Sequence, residues 1–154
     1  MDTFAHAAWT YIIFSATASP FLAVLFGVMP DLLSWTIYLF YALFTGQIKE
    51  MQKKLDLTKV PRWMDVLYGI THSIFVFAAT SILVFLITGN YPIFLLAWIL
   101  HITIDIPTHS RNFLPTPFLW PFFEWKFPGF SWSQKWFVIM NWTAIVIVGL
   151  IVFL

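Results

Sequence analysis

Residues 101–110, HITIDIPTHS, place chemically versatile side chains inside one of the most apolar parts of the chain. These side chains are His101, Asp105, Thr108 and His109. On a continuous helix His101, Asp105 and His109 would lie along one face, because residues four positions apart are neighbours on a helix surface. That face could bind a cation, or His101 and Asp105 could simply form a buried hydrogen-bonded pair. The spacing alone leaves both interpretations open.

Pro107 affects where this helix ends. Proline disfavours helical geometry in the residue before it, so we expect the helix to end or kink at Ile106. His109 would then approach the other two side chains from the first turn of a new element.

The composition is that of an integral membrane protein. Of the 154 residues, 60% are hydrophobic and only 10% are charged, whereas about a quarter of residues are charged in soluble domains. The length fits one domain, residues 1–154. A net charge of +1 gives no basis for nucleic-acid binding, and the absence of cysteine excludes disulfides and thiolate metal ligands.

Four or five apolar segments predict an all-α membrane bundle, with short turns near Pro30 and Asn90. The segments cover residues 4–29, 32–45, 66–87, 91–106 and 136–154. A membrane-crossing helix needs about 20 residues, so the third and fifth segments are long enough, whereas the second and fourth are short. All eight Lys and Arg residues lie in two polar stretches, 46–65 and 110–135. The positive-inside rule therefore predicts that both stretches are cytoplasmic.

Pro20 makes the first segment ambiguous. A single helix would separate His6 from Asp31 by about 37 Å and put them on opposite sides of a bilayer. A break near Pro20 would instead produce a half-membrane hairpin and return Asp31 towards His6.

Ionisable residues at apolar depth cost about 2.5 to 3.5 kcal/mol each on insertion scales, so they are expected to face inward and to have a function. The candidates are His6, Asp31, His72, His101, Asp105 and His109. Considered separately, Asp31 after Pro30 is typical of a helix N-cap, and His72 is typical of a capping or packing residue. Thr71 and Ser73 flank His72 and could orient it.

These six residues are more informative as a set. Four imidazoles and two carboxylates, without thiols, are ligands that catalytic Zn²⁺ prefers, and they also suit Mn²⁺ or Fe²⁺. A divalent ion with an open coordination position would activate water at neutral pH. The sequence has no nucleophile elbow, glycine-rich phosphate loop or redox motif that would indicate another chemistry.

Residues 111–132, RNFLPTPFLWPFFEWKFPGFSW, are rich in proline and aromatic residues. The prolines prevent a long helix, and the aromatic rings favour the membrane interface. The segment could be a lid or an acyl-chain path beside the site, or a loop that merely anchors the last helix. Glu124, its only acid, is considered as a general base.

Five short motifs occur in order between His6 and Phe122: AHAAW, MPDLL, ITHS, HITIDIPTH and LWPF. In order and rough spacing they resemble the prokaryotic membrane-bound metal-dependent hydrolases, the YdjM-like inner-membrane group, which is distantly similar to zinc-dependent phospholipase C. Two departures from that pattern occur, because Leu33 stands in place of a second aspartate, and Leu67 and Tyr68 stand in place of a His-Arg pair.

The resemblance implies a metal site, an activity and a location. The ligands it implies are His6, Asp31, His72, His101 and Asp105, with His109 adjacent. It further implies hydrolysis of an ester or phosphoester, with a membrane lipid as a candidate substrate. Asp105 and His109 would move the proton, and the protein would lie in a prokaryotic inner membrane. The departures favour a single-metal or remodelled site over a multi-metal one.

Two non-enzymatic hypotheses remain open. The polar cluster could be an ion or proton relay, or the protein could be a membrane scaffold with a structural metal or buried polar pairs. A relay needs polar groups that reach both faces, whereas a hydrolase needs one cavity with an open metal position. The basic stretches and most candidate ligands lie towards one side, which favours a single cavity.

Overall fold

A computed structural model describes residues 1–47, 60–111 and 114–154. Within these ranges every regular element is helical, which confirms the predicted all-α class. The elements are α1 (Thr3–Phe14), α2 (Pro20–Asp31), a π-helical turn (Leu32–Thr36), α3 (Ile37–Phe44), α4 (Arg62–Thr71), α5 (Ile74–Thr88), a 3-10 turn (Ile93–Leu95), α6 (Leu96–Thr108) and α7 (Lys135–Phe153). Residues 48–59 of the predicted cytoplasmic stretch 46–65 lie outside the described ranges.

The first apolar segment is a helical hairpin and not a single helix. α2 begins at Pro20, where the missing amide hydrogen of proline removes no helical hydrogen bond. Thr3 at the start of α1 donates a hydrogen bond to Asp31 at the end of α2, over 2.6 Å between Oγ1 and Oδ2. The two helices are therefore antiparallel, and the hairpin returns Asp31 to the end of α1 that carries His6.

The predicted turn near Pro30 is wrong, because α2, the π-helical turn and α3 form one continuous helical stretch. Asp31 has helical backbone angles and makes no capping hydrogen bond, so its interpretation as an N-cap is also wrong. The π-helical turn begins at Leu32, two residues after Pro30, whose missing amide hydrogen interrupts regular α-helical bonding. Ser34 Oγ donates to Pro30 O over 2.6 Å and stabilises this turn.

The third apolar segment is bent by 54° between α4 and α5, so it is not the single straight helix expected over residues 66–87. Ser73 caps α5 by accepting hydrogen bonds from Phe75 N at 3.1 Å and Val76 N at 3.3 Å. Trp98 Nε1 donates to Thr71 O at the end of α4 over 2.7 Å. His72 occupies the break itself.

Two helical stretches in the described ranges are long and apolar enough to cross a membrane, Pro20–Phe44 with 25 residues and Lys135–Phe153 with 19. The bent α4–α5 pair would make a third, so the candidate spans are fewer than the four or five expected. α1 has only 12 residues and is about 18 Å long, shorter than a bilayer core. Large apolar side chains cover the surface, with Ile151 of α7 75% exposed, as expected of a membrane protein.

α6 lies among the other helices and carries the central part of the predicted site. It runs through Pro107 to Thr108, so the expected end at Ile106 is wrong. The loop that follows satisfies the last carbonyls of this helix, because Phe130 N donates to Pro107 O over 3.0 Å and Trp132 N donates to Thr108 O over 2.9 Å. These bonds stabilise the helical turn that contains the proline.

Candidate metal centre

His101 and Asp105 lie one turn apart on the buried face of α6, each at most 1% exposed. Asp105 Oδ2 is 3.2 Å from His101 Nε2 and 3.6 Å from His72 Nε2. Oδ2 nevertheless receives no hydrogen bond from any described residue. A buried carboxylate oxygen without a donor is costly, so this atom requires a cation or a proton beside it.

Backbone carbonyls fix the orientation of both imidazoles. His101 Nδ1 donates to Gly27 O of α2 over 2.7 Å. His72 Nδ1 is 3.2 Å from Tyr68 O and 2.9 Å from Thr71 Oγ1. The hydroxyl of Thr71 donates to Leu67 O over 2.9 Å, so its oxygen accepts from His72. With a hydrogen on each Nδ1, the neutral rings present the lone pairs of Nε2.

These two Nε2 atoms are only 3.2 Å apart. Two lone pairs at that distance repel each other, and they require a cation or a shared proton between or beside them. The unpartnered Oδ2 of Asp105 faces the same point. The residues on hand therefore fit a divalent ion, because imidazole nitrogen oriented through its opposite nitrogen is the common form of a metal ligand in proteins.

Asp31 completes the group from α2. Its Oδ1 lies 3.8 Å from His101 Nε2, and the side chain is 14% exposed, the most open of the four. One ligand atom from each of Asp31, His72, His101 and Asp105 lies within 4.8 Å of every other. These four residues could hold a metal ion through two nitrogen and two oxygen atoms. The set brings together α2, the α4–α5 break and α6.

His6 and His109 lie on the other side of Asp105. His6 Nε2 is 2.8 Å from Oδ1 of Asp105, and its ring stacks on His101 with centroids 3.7 Å apart. His109 Nδ1 is 3.5 Å from Oδ1 and 3.2 Å from the carbonyl oxygen of Asp105. The amino group of Met1 also donates to Oδ1. All six predicted residues thus converge, but His6 and His109 stand outside the four-residue ligand group.

His109 is a neutral acceptor in this arrangement. Burial lowers the pKa of His109 to about 4, because desolvation penalises the imidazolium form. Its Nδ1 hydrogen is directed to Asp105 O, which leaves Nε2 with a lone pair. His109 is the residue directly after α6, and its backbone there is extended.

A cavity of about 270 Å³ adjoins the metal-ligand group. Its polar lining residues are Asp2, Thr3, Asp31, Tyr68 and His109, and Met1 lies beside them. Most of the remaining wall is apolar and comes from α1, the π-helical turn and the loop after α6. Its other lining residues include Phe4, Trp35, Leu114 and Trp132. Small organic groups could therefore reach Asp31 and His109 without crossing the protein core.

Sequence reasoning missed several residues that position these groups. Thr116 Oγ1 donates to Asp105 O over 3.0 Å, and Gly27 supplies the carbonyl that orients His101. Neither Thr116 nor Gly27 belongs to one of the motifs, so only contacts in the folded structure identify these two residues. Tyr68, which replaces arginine in the motif, packs its ring against His72 with centroids 4.1 Å apart and donates its hydroxyl hydrogen to Leu114 O.

Two other predictions have clear structural positions. Leu33 is 46% exposed, so the position of the missing second aspartate does not face the ligand group. Glu124 lines a separate groove with Arg62 and does not line the cavity at the metal centre. Of the two residues flanking His72, Thr71 contacts its ring, whereas Ser73 caps α5 and donates to Trp120 O.

No protein-family model, curated protein or solved structure matches this chain.

Proposed function

We propose that this protein is a membrane-embedded, metal-dependent hydrolase of an ester or phosphoester. The observation that carries the proposal is the pair of imidazole Nε2 atoms 3.2 Å apart beside an unpartnered carboxylate oxygen. The adjoining cavity gives this cluster access to a substrate. The resemblance of the motifs to membrane-bound metal-dependent hydrolases supports the same reaction class.

Asp31, His72, His101 and Asp105 would hold the ion. Two imidazoles and two carboxylates suit Zn²⁺ best, and Mn²⁺ or Fe²⁺ also accept this ligand set. When bound, a divalent ion supplies Lewis acidity, which polarises an ester or phosphoester group and makes nearby water more acidic.

The protein's own contribution is to orient groups and move a proton. His109 presents Nε2 as an acceptor at the cavity wall, so it can take a proton from attacking water. Asp105 holds His6 through Oδ1 and His109 through its backbone carbonyl, while Oδ2 faces the ligand group. Aromatic and apolar side chains in the remaining wall suit an acyl or other apolar substituent of the substrate.

Elemental analysis and hydrolysis assays of the purified chain test the proposal together. Wild type should contain stoichiometric divalent metal and hydrolyse short-chain esters, phosphodiesters or phospholipids. His101→Ala and Asp105→Ala should lose both properties. Thr103→Ala is the matched control, because Thr103 lies exposed on the same helix and, among the described residues, its hydroxyl bonds only to Ile99 O. Full metal retention in both ligand variants would contradict the metal centre.

The ligand count favours one alternative function. Four protein ligands fill a tetrahedral Zn²⁺ shell, as in structural sites, whereas catalytic sites keep a position open. In that alternative the ion is a clamp that joins α2, the α4–α5 break and α6. A metal-loaded protein that hydrolyses none of the substrates, but melts at a lower temperature after chelation, would establish the clamp and overturn the hydrolase.

A further inference from the structure

A second cavity, of about 600 Å³, lies between the start of α4 and the loop that follows α6. Four charged side chains line it together with prolines and aromatic rings. The charged residues are Arg62, Asp65, Glu124 and Lys126. We call this cavity the charged groove. Nothing in the hydrolase proposal makes use of it.

The charged groove combines two cations and two carboxylates that do not neutralise one another. Among the described residues, no ion pair joins any two of the four charged side chains. Each side of the groove supplies one charge of each sign, Arg62 with Asp65 from α4 and Glu124 with Lys126 from the loop. A ligand that carries both an anion and a cation would satisfy all four.

Part of the wall behind these charges is held by close contacts with α4 and the α4–α5 break. A Cβ on Gly69 of α4 would lie 2.8 Å from the ring of Trp120, so helix and ring are in the closest contact that glycine allows. Ser73 Oγ donates to Trp120 O, and Ile74 N donates to Phe118 O over 3.0 Å. The part of the loop around Phe118 and Trp120 is therefore held against the α4–α5 break.

Exposed aromatic rings flank Glu124 and Lys126. Phe122 is 69% exposed, Phe123 61% and Trp125 53%. Such rings favour the boundary between lipid headgroups and acyl chains, particularly tryptophan. A ligand bound to the charged groove would therefore meet the membrane interface and not bulk water alone.

We propose that the charged groove binds the headgroup of a zwitterionic phospholipid. The phosphate contacts Arg62 and Lys126, the ammonium contacts Asp65 and Glu124, and the flanking rings contact the glycerol and acyl regions. Charge complementarity favours this ligand over an anionic lipid, because a lipid without an ammonium leaves both carboxylates facing a phosphate. The proposal is independent of the metal centre and of hydrolysis.

Native mass spectrometry of the full chain in detergent, with added lipids, tests this assignment. Phosphatidylethanolamine should be retained roughly tenfold better than phosphatidylglycerol, a difference that two charge-assisted contacts can supply. Glu124→Gln should remove most of this preference, whereas Lys126→Gln should weaken binding of both phospholipids. Arg111→Gln is the control, because Arg111 is an exposed cation near the loop that does not line the groove.

A melting curve for each variant separates a lost contact from a lost fold. Should a single variant fail to fold, the lipid preference of the wild type still decides the proposal. Equal retention of the two phospholipids by the wild type would overturn it. Displacement of the lipid by free phosphoethanolamine at an equal concentration would assign the groove to a soluble ligand and overturn the lipid assignment.

Discussion

The Nε2 atoms of His72 and His101 lie 3.2 Å apart, while the opposite nitrogen of each ring is bonded to a backbone carbonyl. The contacts at Nδ1 of each ring thus hold the two electron-rich Nε2 atoms close together. Such an arrangement is unfavourable unless a cation or a shared proton lies beside the two nitrogens. Metal affinity and the stability of the metal-free protein should consequently respond in opposite directions to changes at this pair.

His72→Gln tests that opposition. We expect the variant to lose most metal, because one imidazole ligand is absent. Its chelated form should be at least as stable as chelated wild type, with a gain of about 1 kcal/mol, because an amide hydrogen can reach the unpartnered oxygen of Asp105. Urea unfolding of chelated samples measures this difference. A chelated variant that is clearly less stable than chelated wild type would contradict the repulsion between the two rings.

Thr71→Val should weaken metal binding without unfolding the protein. The change keeps the side-chain shape but removes the oxygen that accepts from His72 Nδ1, and such outer contacts affect metal affinity by about 10- to 100-fold. Competition with a fluorescent chelator gives the affinity. Thr103→Val is the matched control, because it removes the same type of bond to the carbonyl four residues earlier but contacts no histidine. Equal affinities in the two variants would remove Thr71 from the site.

Gly27→Ala should separate α1 from α2. An added Cβ would overlap Oγ1 of Thr10, and the displaced Gly27 carbonyl would no longer orient His101. Overpacking of this kind costs about 1 to 3 kcal/mol. The midpoint of thermal unfolding and the metal content should therefore fall together.

The double variant Gly27→Ala with Thr10→Ala should recover part of both losses, because it removes the two side-chain atoms nearest the new Cβ. Gly149→Ala is the control, since its added Cβ meets only Ile12 Cδ1 at 3.7 Å. A single Gly27 variant with wild-type stability and metal content would show that the close approach of the two helices is dispensable.

Gly129→Ala should detach the loop after α6 from the end of that helix. The added Cβ would overlap the carbonyl oxygens of Pro107 and His109, and backbone atoms cannot rotate away as a side chain can. The hydrogen bond from Phe130 N to Pro107 O should then break. Hydrogen exchange should accelerate at the amides of Phe130 and Trp132, whereas protection within α7 should remain. Unchanged exchange at both amides would exclude this close contact.

The helical class was predictable because its signal is local, whereas the sequence left the first segment open between a single helix and a hairpin broken near Pro20. A high apolar content with few charges predicts membrane helices, and Pro20 is well placed in the first turn of α2. At Pro30 the predicted turn was wrong, because a π-helical turn and the Ser34 hydroxyl allow the helix to continue. At Pro107 the amides of Phe130 and Trp132 stabilise the helix end. The contacts at the end of α6 come from residues distant in sequence, so local helix preference could not predict them.

For the candidate site, the sequence predicted which side chains come together but not which of them lie on the Oδ1 side of Asp105 and which on the Oδ2 side. Spacing relates His101 to Asp105 because both lie on one helix. The position of His72 depends on a helix break that has neither glycine nor proline at residues 72 and 73. The separation of His6 from the four-residue group depends on the hairpin geometry. Both are consequences of packing between segments far apart in the chain.

The bend at His72 would couple membrane insertion of this helix to metal loading at the proposed site. An unbroken helix over residues 62–88 would be about 40 Å long and would insert as an ordinary crossing segment. The break shortens that segment and places a ligand at the very residue where the axis changes direction. A substitution that straightens the helix would ease its membrane insertion and also carry His72 away from its partners. In the proposed metal centre a single residue, His72, would therefore set both the path of the helix and the position of a ligand.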